Sequence, residues 1–188
     1  MDVEVVVLAA GLGTWLGRPH PKPLTRLSSG ETIIEQQVAS LRHVFGRRTR
    51  ITAVVGFKLD LVIEANPDLS FVYNELYDVT ASAKSLLKAF RLSGDAGVLW
   101  LNGDVVFDRR ILHELAPLIR AGSSFVCVDD QLVADDEVRY ALDPSGYVAQ
   151  LSRTLADGRG QAVGIGFVSA ADKPAVEGRL AEVGPTDC

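Results

Sequence analysis

Two stretches of this chain carry residue types and spacings suited to phosphate and metal chemistry. The first runs from Leu8 to Leu24, LAAGLGTWLGRPHPKPL, directly behind the hydrophobic run VEVVVLA. Gly11 and Gly13 lack a Cβ and can take positive φ, so the backbone of Leu8, Ala9, Ala10, Gly11, Gly13 and Thr14 can curl with its N–H groups turned inward as an anion cradle. Lys22 stands between Pro21 and Pro23, which fix the backbone and limit where its ammonium can reach; a phosphate is the natural partner, and a solvated lysine in a Gly- and Pro-rich turn is the alternative. The second stretch is Gly103–Asp104, behind the apolar run GVLWLN. A carboxylate at that point can hold Mg²⁺, which takes oxygen ligands and keeps waters and substrate phosphates in its other positions. Asn-Gly-Asp is also good turn chemistry, so a turn aspartate is the competing reading. Asp108, four residues on, suits a helix cap.

Other loop chemistries fail on spacing. A dinucleotide fingerprint needs its third glycine one residue before Gly17 and a helix at once, which Pro19, Pro21 and Pro23 forbid; a P-loop needs Gly-Lys-Ser/Thr. His20, His43 and His113 form no cluster in sequence, with His43 and His113 in helical segments and His20 near Lys22.

The elements that position these residues alternate. Strand-like VEVVVLA, ITAVVG, SFVYN and GVLWLN are separated by helical spacings over about 32–45 and 82–92, signalled by Thr32 and by Thr80 with Ser82. That rhythm predicts βαβ units and a parallel sheet whose strand ends gather the ligand. A helix over about 109–119 and the strand SSFVCVD follow. EVRYAL and YVAQLS then alternate across Asp-Pro-Ser-Gly as an antiparallel hairpin, with AVGIGFVS as a third strand, so the sheet becomes mixed; residues 174–180 form at best a short helix.

Composition bounds the rest. The chain has 188 residues, 47% hydrophobic and 23% charged, a size that predicts one domain with its own core. No apolar run reaches membrane-spanning length, and acidic Asp2 and Glu4 stand where a secretory signal would be basic, which predicts a cytoplasmic protein with no membrane partner. A net charge of −5 predicts no nucleic-acid partner, the cluster Arg47, Arg48 and Arg50 being a solvated turn. Cys127 and Cys188 are the two cysteines, one inside an apolar run and one terminal, which suggests neither a disulfide framework nor a Cys-based zinc site.

The string L-A-A-G-x-G-T-x-L-G-x-x-x-P-K-P-L resembles the signature of the NTP-transferase family. AVVGF at 53–57, FVYNELYDVT at 71–80, KSLLKAF at 84–90 and LNGDVVFD at 101–108 fall in the order of its phosphocholine cytidylyltransferase-like branch. The resemblance implies a three-layer α/β/α fold with a mostly parallel, mixed sheet, of the GT-A or Rossmann-like kind. It implies transfer of a nucleoside monophosphate, CMP from CTP being favoured, to a small phosphorylated acceptor such as phosphocholine or a sugar phosphate, with Mg²⁺ as cofactor and pyrophosphate released. It assigns Gly11, Gly13 and Lys22 to the triphosphate and Asp104 to the metal, Lys22 and Asp104 being the catalytic pair. Aromatic faces at Tyr73, Tyr77, Trp100 and Phe107 could hold a quaternary ammonium or pack in the core, with Tyr77 and Lys84 as acceptor-binding candidates and a solvated helix lysine as the alternative for Lys84.

The chain departs from the resembled pattern at four places. Trp15 replaces an arginine, Ala81 and Ser82 stand where an asparagine is common, Gln161 replaces a glutamate, and a segment with a second metal carboxylate is expected beyond Cys188. These departures imply a C-terminally incomplete domain with slow or undetectable turnover and a tendency to self-associate as a homo-oligomer. They also favour a catalytically impaired nucleotide-binding domain as the alternative; a Rossmann NAD-binding domain is the third reading. Trp15→Arg restores a cation toward phosphate, where a well-placed charge-assisted bond contributes about 1.5–3 kcal/mol. Titration calorimetry should show tighter triphosphate binding by the variant, and unchanged affinity would mean that position 15 does not face the ligand.

Overall fold

The computed structural model describes residues 3–12, 20–131, 137–155 and 157–184. Gly13, Thr14, Trp15, Gly17 and Cys188 lie outside the described residues. In chain order the elements are β1 (Val3–Ala9), α1 (Ile33–Phe45), β2 (Ile51–Val55), α2 (Leu59–Ala65), β3 (Ser70–Tyr73), α3 (Ser82–Leu92), β4 (Gly97–Asn102), α4 (Arg110–Arg120), β5 (Phe125–Asp129), β6 (Arg139–Leu142), β7 (Val148–Ser152), β8 (Gln161–Val168) and α5 (Lys173–Glu182).

The eight strands form one mixed sheet in the order β3-β2-β1-β4-β8-β6-β7, with β5 also paired to β8. β3, β2, β1 and β4 are parallel, and β8 joins β4 antiparallel. Side chains of β1 alternate as the pleat requires: Val5 and Val7 enter the apolar cluster shared with α1, α2 and α4, while Val6 faces the cluster shared with α3. Helices therefore cover both faces, and the strands buried between them read as unbroken apolar runs.

Local chemistry sets the helix starts. Thr32 closes a full capping box on α1: its hydroxyl accepts from Glu35 N at 3.3 Å and its own N–H donates to Glu35 Oε2 at 2.6 Å. Asp108 Oδ1 accepts from Arg110 N at 2.9 Å at the head of α4. The expectation for α3 is met in span but not in its cap. Ala81 is the N-cap and makes no side-chain bond, because the Thr80 hydroxyl donates instead to Leu76 O at 2.7 Å within the preceding loop.

Two helices differ from the sequence reading. α2 is unanticipated, having seven residues of which Val62 alone is buried, too short for a periodic signal. α5 is longer than expected at ten residues, and it is tied at its start by the Lys173 ammonium, which donates to Ser93 Oγ and to the Gly94 carbonyl.

Close backbone approach at the carboxyl ends of the strands depends on Gly103. Its N–H donates to Leu8 O at 2.9 Å, and a Cβ there would lie 2.8 Å from Pro23 Cγ and 2.9 Å from that same oxygen. Gly103→Ala forces one of these apart and should cost roughly 1–3 kcal/mol, about 2–4 °C of melting temperature per kcal/mol for a chain of this size. Gly178→Ala, in α5 with open space around it, should instead stabilise by about 0.5–1 kcal/mol. Thermal melts followed by circular dichroism compare the two, and a neutral Gly103→Ala would disprove the close packing.

Candidate functional site

The direction of the chain changes between β1 and β4. β1 leads through α1 to β2 on one side, and β3 leads through α3 to β4 on the other. Such a switch point opens a crevice at the carboxyl ends of the strands, and Leu8 pairs with Asn102 at its floor.

Two connected cavities occupy this crevice. The first, about 490 Å³, is bounded by Leu8 to Leu12 behind β1, by residues 77–82 before α3, and by Gly103 and Asp104. The second, about 650 Å³, lies toward β8 and the β6–β7 hairpin and is walled by Trp100, Val126, Leu151, Gln161 and Leu180 among others. Leu8, Lys22, Ser82, Asn102, Asp104 and Arg153 line both and mark the boundary.

Lys22 and Asp104 meet at that boundary. Lys22 Nζ donates to Asp104 Oδ2 at 3.0 Å, with the side chains 29% and 42% exposed. The reach of Lys22 is set by a single 3₁₀ turn, Lys22–Leu24, in which Pro23 and Leu24 are buried. The turn holding Asp104 is fixed from beneath by α1. Fully buried Gln37 donates through Nε2 to Asn102 O at 2.9 Å and Val105 O at 2.8 Å, and Gln36 Nε2 donates to Phe107 O at 2.7 Å.

Gly11 lines the first cavity with nothing within 4 Å of the place its Cβ would occupy. Its φ is not in the left-handed region, contrary to the conformation the sequence suggests. Its contribution is therefore the missing side chain rather than a special backbone angle.

The opposite wall, residues 74–81, is organised by Asn74. That residue is 1% exposed, donates from Nδ2 to Thr80 Oγ1 at 3.2 Å and Ser85 Oγ at 3.0 Å, and accepts the Leu76 N–H on Oδ1. Tyr77 packs against Gly56, where a Cβ would come within 2.5 Å of the tyrosine Cβ. It lines the first cavity and not the second.

The other candidates fall elsewhere. The Lys84 ammonium donates to Leu180 O at 3.1 Å and Ala181 O at 3.2 Å in the last turn of α5, and Lys84 lines neither cavity. Phe107 is core, Tyr73 is exposed on β3, and Trp100 lines the second cavity. His43 and His113 meet edge to face between α1 and α4, and His20 lines neither cavity. Burial pushes the Cys127 thiol up to about 11, which keeps it protonated and unreactive at neutral pH.

Sequence reading missed Arg153 and Asn74. Arg153 stands after β7 in a stretch with no motif, and only the fold brings it to Lys22 and Asp104. Asn74 falls inside FVYNELYDVT, where an asparagine among aromatic and β-branched residues at a strand end is a usable turn signal.

Residues 5–165 match the family described as MobA-like NTP transferase domain. The CMP-5′-(3-aminopropyl)phosphonate synthase of Streptomyces rubellomurinus is 36% identical over 125 residues, covering 62% of this chain. The match takes in 19% of that relative, so the chain spans about a fifth of its length. The CTP:phosphocholine cytidylyltransferase of Streptococcus pneumoniae superposes with a TM-score of 0.69 at 20% identity, over 97% of this chain and 77% of its own. The inositol-1-phosphate CTP transferase from T. maritima superposes with a TM-score of 0.67 at 16% identity, over 98% and 83%. At these identities the structural likeness establishes the fold.

Gln37→Leu keeps the volume under the Asp104 turn but leaves two carbonyls without their donor, which should cost about 1–3 kcal/mol. Hydrogen exchange at residues 103–107 should quicken in the variant more than elsewhere. Unchanged local exchange would show that the turn holds itself.

Proposed function

Because the chain belongs to the family of MobA-like NTP transferase domains, we propose that it transfers CMP from CTP to a small acceptor carrying a phosphate or phosphonate, releasing pyrophosphate. The observation that carries this reading is the Lys22–Asp104 contact at the boundary of two connected cavities. A transferase must hold two anions with their reacting atoms adjacent, and such a boundary is where they would meet. The favoured donor and the phosphonate option draw on the named activity of the Streptomyces rubellomurinus relative.

In this reading the nucleotide occupies the first cavity. The bare edge at Gly11 admits phosphate oxygens close to the backbone, and the loop ordered by Asn74 closes the other side. The acceptor lies in the second cavity and directs a phosphate or phosphonate oxygen at the α-phosphorus. The bond from the α-phosphorus to the bridging oxygen of pyrophosphate breaks as the new P–O bond forms. Lys22 neutralises charge on the departing pyrophosphate without needing to move a proton.

Asp104 suits Mg²⁺ in its chemistry. Among the described residues it is the one carboxylate lining both cavities, and no group of three or more His, Cys, Asp or Glu offers an all-protein cage. One carboxylate with waters and phosphate oxygens is the coordination Mg²⁺ commonly accepts. When bound, the ion would supply charge neutralisation at the phosphates. Asp104 would then exchange its contact with the Lys22 ammonium for one with the metal, leaving Lys22 to a phosphate.

A second reading, nucleotide binding without turnover, is favoured by Gln161, which lines the second cavity as a neutral amide where the resembled pattern has a carboxylate. Pyrophosphate release in the presence of Mg²⁺, CTP and a panel of phosphate and phosphonate acceptors separates the two. CTP with Mg²⁺ should also raise the melting temperature by mass action, and Lys22→Ala and Asp104→Ala should each blunt that rise. Equal shifts in all three proteins would remove both residues from the site.

A further inference from the structure

One polar side chain at the boundary of the two cavities is held by the sheet itself. Among the described residues, the polar side chains lining both cavities are Lys22, Ser82, Asn102, Asp104 and Arg153, and of these Asn102 alone belongs to a strand. It is the last residue of β4 and pairs with Leu8 of β1. Its carbonyl accepts from Gln37 Nε2 at 2.9 Å and from the Val105 N–H at 3.2 Å, which fixes its backbone. Its carboxamide makes no hydrogen bond among the described residues, and neither polar atom of this half-buried side chain is closed off from solvent.

The neighbour of that carboxamide is β8. The β4–β8 ladder runs to Leu101 and Ile165, and the next residue of β8, Gly164, leaves it with a φ of 75°, in the left-handed region that glycine tolerates. A Cβ on Gly164 would lie 2.6 Å from Asn102 Nδ2, 2.8 Å from its Cγ and 3.0 Å from its Cβ. No side chain fits there with the amide in place. The bare backbone of β8 is therefore the surface against which the Asn102 amide rests.

A carboxamide donates through its NH₂ group, accepts on its oxygen and carries no charge. A donor held in place beforehand stabilises negative charge that gathers on a phosphate without having to reorganise. The nearby ammonium of Lys22 is engaged by Asp104, whereas the amide is free to meet a ligand. In the transferase reading, on which this inference rests, the α-phosphorus must lie within reach of both ligands, and so at the boundary that Asn102 lines. We propose that Asn102 binds the α-phosphate of the nucleotide, its Nδ2 donating to a non-bridging oxygen, and that Gly164 is the positioning residue that keeps the amide in place. The bond from the α-phosphorus to pyrophosphate breaks as the acceptor oxygen bonds to it, and Asn102 neither gives nor takes a proton.

Ligand-observed NMR titrations of the whole chain with cytidine and with CMP, both without Mg²⁺, isolate the α-phosphate. Wild type should bind CMP tighter than cytidine. Asn102→Ala should weaken CMP about tenfold, the yield of one hydrogen bond to a charged group, and leave cytidine unchanged. Gly164→Ala should weaken CMP in the same sense, yet make no further difference once residue 102 is alanine, because the two changes act through one amide. The proposal is overturned if wild type binds CMP no better than cytidine or binds neither, if Asn102→Ala keeps CMP affinity, or if it loses cytidine in equal measure, which would assign Asn102 to the shape of the cavity. Additive losses from the two substitutions would overturn the positioning role of Gly164. Pyrophosphate release from CTP with Mg²⁺ and an acceptor is followed separately. A CMP loss in Asn102→Ala with no release by wild type supports the phosphate contact and sinks the transfer reading, while release undiminished in Asn102→Ala sinks the contact and leaves transfer standing.

Discussion

The site depends on one close approach, the contact of Gly103 with Pro23 and the carbonyl of Leu8. Three segments distant in sequence meet there: the end of β1, the turn bearing Lys22, and the end of β4. Because a methyl group will not fit between them, the spacing from Lys22 to Asp104 is set by backbone packing and not by the two charges. Gln37 reinforces the same point from below by holding the carbonyls of Asn102 and Val105. The chemistry is thus anchored in buried, neutral contacts.

That division suits a ligand site. An ion pair as exposed as Lys22–Asp104 contributes about 0–1 kcal/mol to stability. Breaking it therefore costs little, and the geometry survives because it does not rest on the pair. A buried pair would serve poorly here, since separating it strands charges in a low dielectric.

How much could be read beforehand follows from which physical signal each part leaves. The α1 and α3 spans were legible because apolar residues recur at helical spacing, and α1 also has Thr32 and Glu35 in capping register. α2 left no such trace, having one buried residue in seven. Gly11, Lys22 and Asp104, which line one cavity, were legible as a group because closely packed backbone and stiff prolines restrict residue choice and leave a motif. For Lys84, an acceptor candidate by sequence, the sequence shows a lysine near a helix start but not that the last turn of α5 lies within its reach.

The second cavity shows the converse. Its walls come from β4, β5, β8, α3, α5 and the hairpin, so no segment contributes enough of it to form a pattern. Glu137 and Arg153 flank the hairpin, on the β8 side of the sheet and outside the parallel half that packs the core. Side chains there can change without disturbing Gly103, Gln37 or the β1–β4 ladder. In the transferase reading proposed above, the nucleotide would be held by tightly packed residues and the acceptor by residues free of that packing. Residues outside that packing leave no motif, and Arg153 comes into view only when the antiparallel strands are folded back onto β4.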